Sequence, residues 1–263
     1  MSERPNLNVE GGRRRFEPSD TIIHRGLRVG VEVLEGELDR TDDPVLVAAL
    51  DAAIDAKDAS EIDRLIEKLR PPLLHAIFED ARSYCLHRDE RVTFGSRWSK
   101  WATVARLCWS ADDYFGLVLY RLRCALQARR VPVLPRLLDL LDIVLYQIRI
   151  GDHVVLKEGA YIPHGQIGLY GLTFVGRRCV IGPWAGCGTV PGTSWGPRVG
   201  NNVMIGTGAK IMGRLYIGAN AIIGANAVVI KDVPPHATAA GAPARIVPTV
   251  DHGEHPDGSP LGL

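Results

Sequence analysis

The chain has 263 residues, 46% hydrophobic and 23% charged, room for one large domain or two modest ones and too apolar for disorder. Thirty-one Lys and Arg against thirty Asp and Glu leave a net charge of +1. That near-balance argues against a nucleic-acid partner held by phosphate neutralisation.

In chain order, residues 1–20 are polar and Gly/Arg-rich and are expected to be a flexible tail, with Arg13, Arg14 and Arg15 a solvated cluster. Met1–Glu10 shows no apolar signal core. Residues 21–148 read as an all-helical domain. Asp43-Pro44 makes an N-cap followed by a first-turn proline, and Val45, Leu46, Ala49, Leu50, Ala53 and Ile54 then recur at helical spacing. Pro71-Pro72 marks the next boundary, before a stripe of Leu73, Leu74, Ile77, Phe78, Ala81 and Tyr84. Trp98, Trp101, Ala102, Ala105 and Leu107 suggest a third apolar stripe, Tyr114–Ala128 a fourth, and Pro135 opens a last one over Leu137–Leu145. Val131–Ile150 is the most apolar region, but Arg136, Asp139, Asp142 and Arg149 interrupt it, short of the roughly 18 uncharged residues of a membrane span. Five scattered cysteines (Cys85, Cys108, Cys124, Cys179, Cys187) make neither a disulfide framework nor a zinc site. A reduced, cytoplasmic protein without a membrane partner or a metal is expected.

From Ile150 the period changes to six. Ile150, Leu156, Ile162, Val175, Ile181, Cys187, Val199, Ile205, Ile211, Ile217, Ile223 and Val229 are twelve slots, eleven of them Ile, Leu or Val, and glycine follows eight. A small or β-branched residue stands four after most slots: Val154, Ala160, Cys179, Ala185, Val203, Ala209, Ala221, Ala227, Val233. This is a hexapeptide repeat. One short strand and one corner per repeat close a triangular coil every three repeats, with both slots pointing inward. Gly and Asn supply the left-handed corners. The fold class expected is therefore α+β: a helical domain followed by a left-handed parallel β-helix over residues 149–247, an exception to the right-handed crossover rule. Cys179 and Cys187 fill core slots and are expected to be inert. Residues 248–263 lack periodicity and read as a second flexible tail.

The repeat breaks twice. Ile162 to Val175 is one residue longer than two repeats, and Cys187 to Val199 keeps register but has Thr193 in its middle slot. Breaks in a repeat are where loops leave or sites are built. His164 lies in the first; a lone histidine is otherwise a surface or capping residue.

The runs Asn202–Gly213, Ile223–His236 and Ala239–Val247, with Tyr120-Arg121-Leu122 and Tyr146–Ile150 ahead of them, resemble the serine acetyltransferase branch of the hexapeptide acyltransferases over about Phe115 to Val247. The resemblance implies trimers of β-helices, or dimers of trimers through the helical domain. It also implies acetyl-CoA as co-substrate between neighbouring prisms, and a histidine that takes the proton of an acceptor hydroxyl. His164, in Ile162-Pro-His164, matches that base. The resemblance places coenzyme contacts at Gly206, Thr207 and Ala225, and an oxyanion donor at Gly188 or Thr189. Lys231 and Arg245 are either phosphate contacts or solvated charges. His153 and His236 lack the coincidence of slot and break, as do His252 and His255.

The family's serine site does not carry over. Arg149 stands where the family has an aspartate orienting the histidine, Pro163 replaces the aspartate before it, and Trp195-Gly196 replaces an arginine–histidine pair. Arginine cannot accept a hydrogen bond from imidazole. Glu158 or Asp152, or Asp112 and Asp113 from the helices, are the remaining acids. Trp184 and Trp195 either wall a larger or partly apolar acceptor, or cover the prism or a trimer contact. The sequence thus points to a CoA-dependent acyltransferase with Arg149, Glu158, Trp184 and Trp195 around its acceptor. The other readings are a true serine O-acetyltransferase with a rebuilt site and a catalytically silent β-helix scaffold. A γ-type carbonic anhydrase needs several histidines converging on zinc, and only His153 and His164 lie in the early coils.

Overall fold

The computed structural model describes residues 44–90 and 95–247; both expected tails, the Arg13–Arg15 cluster, His252 and His255 lie outside the described residues. Helices come first: α1 (Pro44–Asp55), α2 (Ala59–Leu69), α3 (Leu73–His87), α4 (Arg97–Ser110), α5 (Asp112–Ala128) and α6 (Leu134–Tyr146). Their ends follow local chemistry. The Asp58 carboxylate accepts the Ser60 and Glu61 N–H groups at the start of α2, Ser96 and Ser99 form a reciprocal capping box on α4, and proline occupies the first turn of α6.

Among the described residues, fourteen strands, β1 to β14 in chain order, then wind into a left-handed parallel β-helix. Its first face stacks β1 (Ile148–Ile150), β3 (Ile167–Leu169), β6 (Gly186–Gly188), β9 (Lys210–Met212) and β12 (Val228–Val229). The second stacks β2 (Val155–Leu156), β4 (Leu172–Val175), β7 (Trp195–Val199) and β10 (Tyr216–Ile217). The third stacks β5 (Val180–Ile181), β8 (Met204–Ile205), β11 (Ile222–Ile223) and β13 (Thr238–Ala240), closed by antiparallel β14 (Arg245–Val247). All twelve aliphatic slots and all nine small slots are buried. They form columns in register, for example Ile150–Leu169–Cys187–Ile211–Val229 down the first face. Cys179 and Cys187 lie in this core, and burial pushes the Cys187 thiol up to about 12.

Both breaks resolve at corners. Leu169 takes the first-face slot seven residues after Ile162, so one extra residue is absorbed in between. Residues 189–194 leave the prism between β6 and β7, and Thr193 is a loop residue, not a slot. The glycines after the slots have a different cause from the one expected. Left-handed corners are held by Asn202, Asn220 and Asn226, and also by Arg178 and Trp184. Gly206 is needed because a Cβ there would lie 2.7 Å from the Ala225 nitrogen of the next coil, and at Gly218 2.2 Å from the Pro235 nitrogen.

The helices cover the second face and clasp the first coil. Leu50, Ala53 and Ile54 of α1 and Leu65, Ile66 and Leu69 of α2 bury Val155, Leu172 and Phe174, flanked by Arg198–Asp51 and Arg214–Asp55 ion pairs. At the entry to the prism, Arg121 of α5 donates to both carboxylate oxygens of Asp80 in α3 (2.9 and 3.2 Å) and to the carbonyls of Leu156 (2.5 Å) and Lys157 (2.7 Å). Asp80 in turn accepts the Gly159 and Ala160 N–H groups at 2.7 and 3.0 Å. Two stripes face largely outward, contrary to a core reading, Leu107 being the one residue of the α4 stripe that is buried. In α4 the buried residues are Thr103, Val104 and Leu107, while Trp98 and Trp109 are 85% and 91% exposed. In α6, Leu137, Leu140, Leu141, Val144 and Leu145 are exposed and Asp142 is buried. Among the described residues, only one side of each of these helices meets the rest of the chain, and that is not the most apolar side.

Removing Asp80 leaves Arg121 charged and buried, so Asp80→Ala is expected to cost roughly 3–5 kcal/mol in urea unfolding. A second expectation concerns Asp142, whose buried Oδ1 has no hydrogen-bond partner. Burial raises its carboxyl to about 8, Arg123 opposing and Asp139 adding to the shift. The unfolded chain releases that proton near 4, so between about pH 4 and 8 the folded state holds more protons and stability falls as pH rises. Asp142→Asn is expected to remove that slope in thermal unfolding and to exceed wild type at pH 9.

Candidate active site

The chain reaches His164 by way of a hydroxyl clamp. Tyr84 of α3 donates to the Ile162 carbonyl at 2.9 Å, and its oxygen accepts the Ile162 N–H at 3.3 Å. Burial, with the nearby Asp113 charge adding to it, pushes this hydroxyl well above its ordinary range, so it stays protonated. Pro163 follows, and then His164, Gly165 and Gln166 all adopt left-handed backbone (φ 64, 59 and 55°). Three such residues in a row form one left-handed turn, which costs about 1–2 kcal/mol at each non-glycine position. This turn is how the extra residue is absorbed. It leaves His164 exposed, and Gln166 N–H bonds the Tyr146 carbonyl at 3.2 Å.

Gln166 lines a groove of about 610 Å³ along the first face. Ile143 and Gln147, from α6 and its left-handed cap, form one end. The outward positions of the strands form the floor: Arg149, Gly168, Gly186 and Lys210. Two missing side chains make the face concave; the ring of Tyr170 lies across Gly168, where a Cβ would meet it at 2.6 Å. Trp184 walls one border, 57% exposed and in left-handed backbone (φ 63°), its N–H on the Gln166 carbonyl at 2.8 Å and its own carbonyl accepting Lys210 Nζ. A bulky residue held at positive φ is strain retained at a built site. Gly188 and Thr189 close the other end, where the second break begins.

The structure therefore gathers Arg149, Trp184, Gly188 and Thr189 in the groove, whereas His164 is exposed two residues before Gln166 and is not among the lining residues. Gly206, Thr207 and Ala225 run down the corner below Trp184: Gly208 N–H bonds the Pro183 carbonyl and Asn226 N–H the Thr207 carbonyl, both at 2.8 Å. Lys231 and Arg245 are exposed and line no part of the groove. Two expected acceptor residues lie elsewhere. Glu158 sits on Arg177 (2.6 Å) with His75 at 3.8 Å; burial pushes its carboxyl up, but its own backbone N–H and Arg177 outweigh this and hold it below the usual value. Trp195 is on the second face, stacked against Arg214 (3.7 Å) and Arg198 (5.3 Å) and packed on the α1–α2 cluster. Asp152 takes the Gln127 amide at 2.8 Å, and Asp113 faces Tyr84 and Tyr161. His153 pairs with Asp63 at 3.4 Å, and no group of three His, Cys, Asp or Glu is placed to hold a metal among the described residues. No helix there is long and apolar enough to cross a membrane. Lys210 and Tyr170 escaped the sequence reading, which followed inward slots; the glycines just before the first-face slots, Gly168 and Gly186, were the available sign.

Residues 196–231 match the bacterial transferase hexapeptide (six repeats) family model. The serine acetyltransferase of Synechococcus elongatus is 36% identical over 162 residues, 57% of this chain and 65% of that protein, so the match spans just under two thirds of it. The serine acetyltransferase of Helicobacter pylori strain J99 is 36% identical over 136 residues, 50% of this chain and 79% of that protein. A solved serine acetyltransferase in complex with CoA superposes with a TM-score of 0.56 at 24% identity, over 86% of this chain and 98% of that one, and shares its fold.

Gly165 has no tolerance for a side chain, since a Cβ would lie 2.2 Å from the Tyr146 carbonyl oxygen and φ is positive. Gly165→Ala is expected to lower unfolding free energy by about 2–5 kcal/mol, the sum of left-handed and overpacking costs, read by urea titration.

Proposed function

The chain belongs to the serine acetyltransferase family, and on that premise we propose that it moves an acetyl group from acetyl-CoA to a hydroxyl or amine of a small acceptor, with His164 as general base. The observation that carries this is an exposed imidazole on a left-handed turn, two residues before Gln166, which lines the groove. In the proposed reaction the acceptor oxygen attacks the thioester carbonyl carbon while His164 takes its proton. The backbone amides at Gly188 or Thr189 meet the resulting oxyanion. Collapse breaks the C–S bond, and the imidazolium returns its proton to the departing thiolate, leaving an acetyl ester and free CoA thiol. The corner Gly206–Thr207–Ala225 would carry the coenzyme, with Lys231 and Arg245 toward its phosphates.

Arg149 and Trp184 define the acceptor end in this reading. A guanidinium and an exposed indole lining one groove suit an acceptor with an anionic group and an apolar body. The relatives' names favour a second reading, a serine O-acetyltransferase whose site is rebuilt around these residues. We also propose a homotrimer, or a dimer of trimers, in the cytoplasm. It is supported by the exposed apolar side of α6 (Leu137, Leu141, Val144, Leu145), of the kind that marks a protein contact.

The test is thiol release from acetyl-CoA over a panel of hydroxyl and amine acceptors, serine included. Release with at least one acceptor is expected, reduced roughly a hundredfold or more by His164→Ala. Serine turned over as well as any other acceptor would replace the first reading with the second. No release over the whole panel would leave a scaffold.

A further inference from the structure

The hairpin joining α5 to α6 borders a second, open cavity, of about 360 Å³, that shares no lining residue with the groove. Arg123, Arg130, Arg136 and Gln127 line it, opposed by Asp139 and Asp152, three positive charges against two negative. Asp139 is held by two guanidiniums, Arg123 Nη1 and Arg136 Nη1, the latter at 2.7 Å. Asp152 accepts the Gln127 amide and pairs with Arg123 Nη2 at 3.9 Å. Arg130 makes no ion pair among the described residues, so the cavity keeps an uncompensated cation. Arg123 is only 5% exposed on its side chain, donates Nη2 to the Ile150 carbonyl, and keeps a buried Nε without a partner.

The loop is also built at a cost. Arg130 has positive φ (54°), and Val133 (φ 64°, ψ −51°) sits in a γ-turn in which the Leu134 N–H bonds the Pro132 carbonyl at 2.7 Å, a strained conformation for a β-branched residue. Strain of this kind persists where surrounding structure over-determines it and concentrates at ligand sites. We propose that this cavity binds a small organic phosphate. Planar guanidiniums around one space match the several oxygens of a phosphoryl group. The volume exceeds that of the bare ion, which leaves room for an organic body beside Val131 and Pro135.

The probe is inorganic phosphate, titrated calorimetrically into the full chain at constant ionic strength set with sodium chloride. Saturable binding is expected, weakened roughly tenfold by Arg130→Gln and by Arg136→Gln, each of which removes a charge-assisted contact. Both side chains are exposed, and unchanged circular dichroism checks that the variants fold. Arg129→Gln, next in sequence but outside the cavity with its guanidinium on the Ala125 carbonyl, is expected to bind like wild type. No saturable binding, affinity untouched by Arg130→Gln, or equal binding of acetate would each overturn the proposal. The readout needs no turnover, so it stands or falls apart from the acetyl-transfer reading.

Discussion

Column packing is the constraint from which the rest follows. Each inward side chain is covered by its counterpart one coil on, as Leu156, Val175, Val199 and Ile217 are down the second face. An added residue inside a strand would shift every later side chain out of its column, so extra length is expelled at corners. The chain does this twice, at 163–166 and at 189–194, and both departures border the first face: Gln166 and Thr189 line the same groove. The candidate site is located where the repeat is forced to break.

The helices fix where that break points. Arg121 holds the carbonyls of Leu156 and Lys157, Asp80 the amides of Gly159 and Ala160, and Tyr84 both polar groups of Ile162. These contacts follow one another along the chain and end two residues before His164. A buried ion pair is weak support for stability by itself, because desolvation offsets much of its attraction. Here each remaining polar atom of the pair finds a backbone partner in the first coil. The pair therefore fixes the backbone of the first coil as well as contributing to stability.

Much of this was legible in the sequence because burial imposes a strict period. The β-helix, its core slots and both breaks followed from the six-residue spacing. What failed did so for identifiable reasons. Counting by six from Ile162 lands on Gly168, so Leu169 stayed hidden behind the seven-residue step, and counting from Cys187 lands on Thr193 in a loop. Helical periodicity revealed apolar faces on α4 and α6 but carries no information about what covers them. Trp195 was placed at the site by its position in a motif, whereas its face of the prism depends on how many residues the second loop removes.

The fate of the nearby carboxylates bears on the proposed chemistry. Imidazole bases are commonly oriented by an acid that accepts from the second nitrogen. Arg149, on the floor of the groove, cannot do so. Glu158 is engaged by Arg177, Asp152 by Gln127, and Asp80 by Arg121 and two amides. With these acids committed to holding helices and coils together, none of the three is available to His164 within one chain. An imidazole without these three acids loses their orientation and stabilisation of its charged form, so on the proposed reaction more of the rate comes from positioning. The Tyr84 clamp and the left-handed turn at His164–Gln166, which fix the backbone that carries the ring, are the parts of this structure suited to supply it.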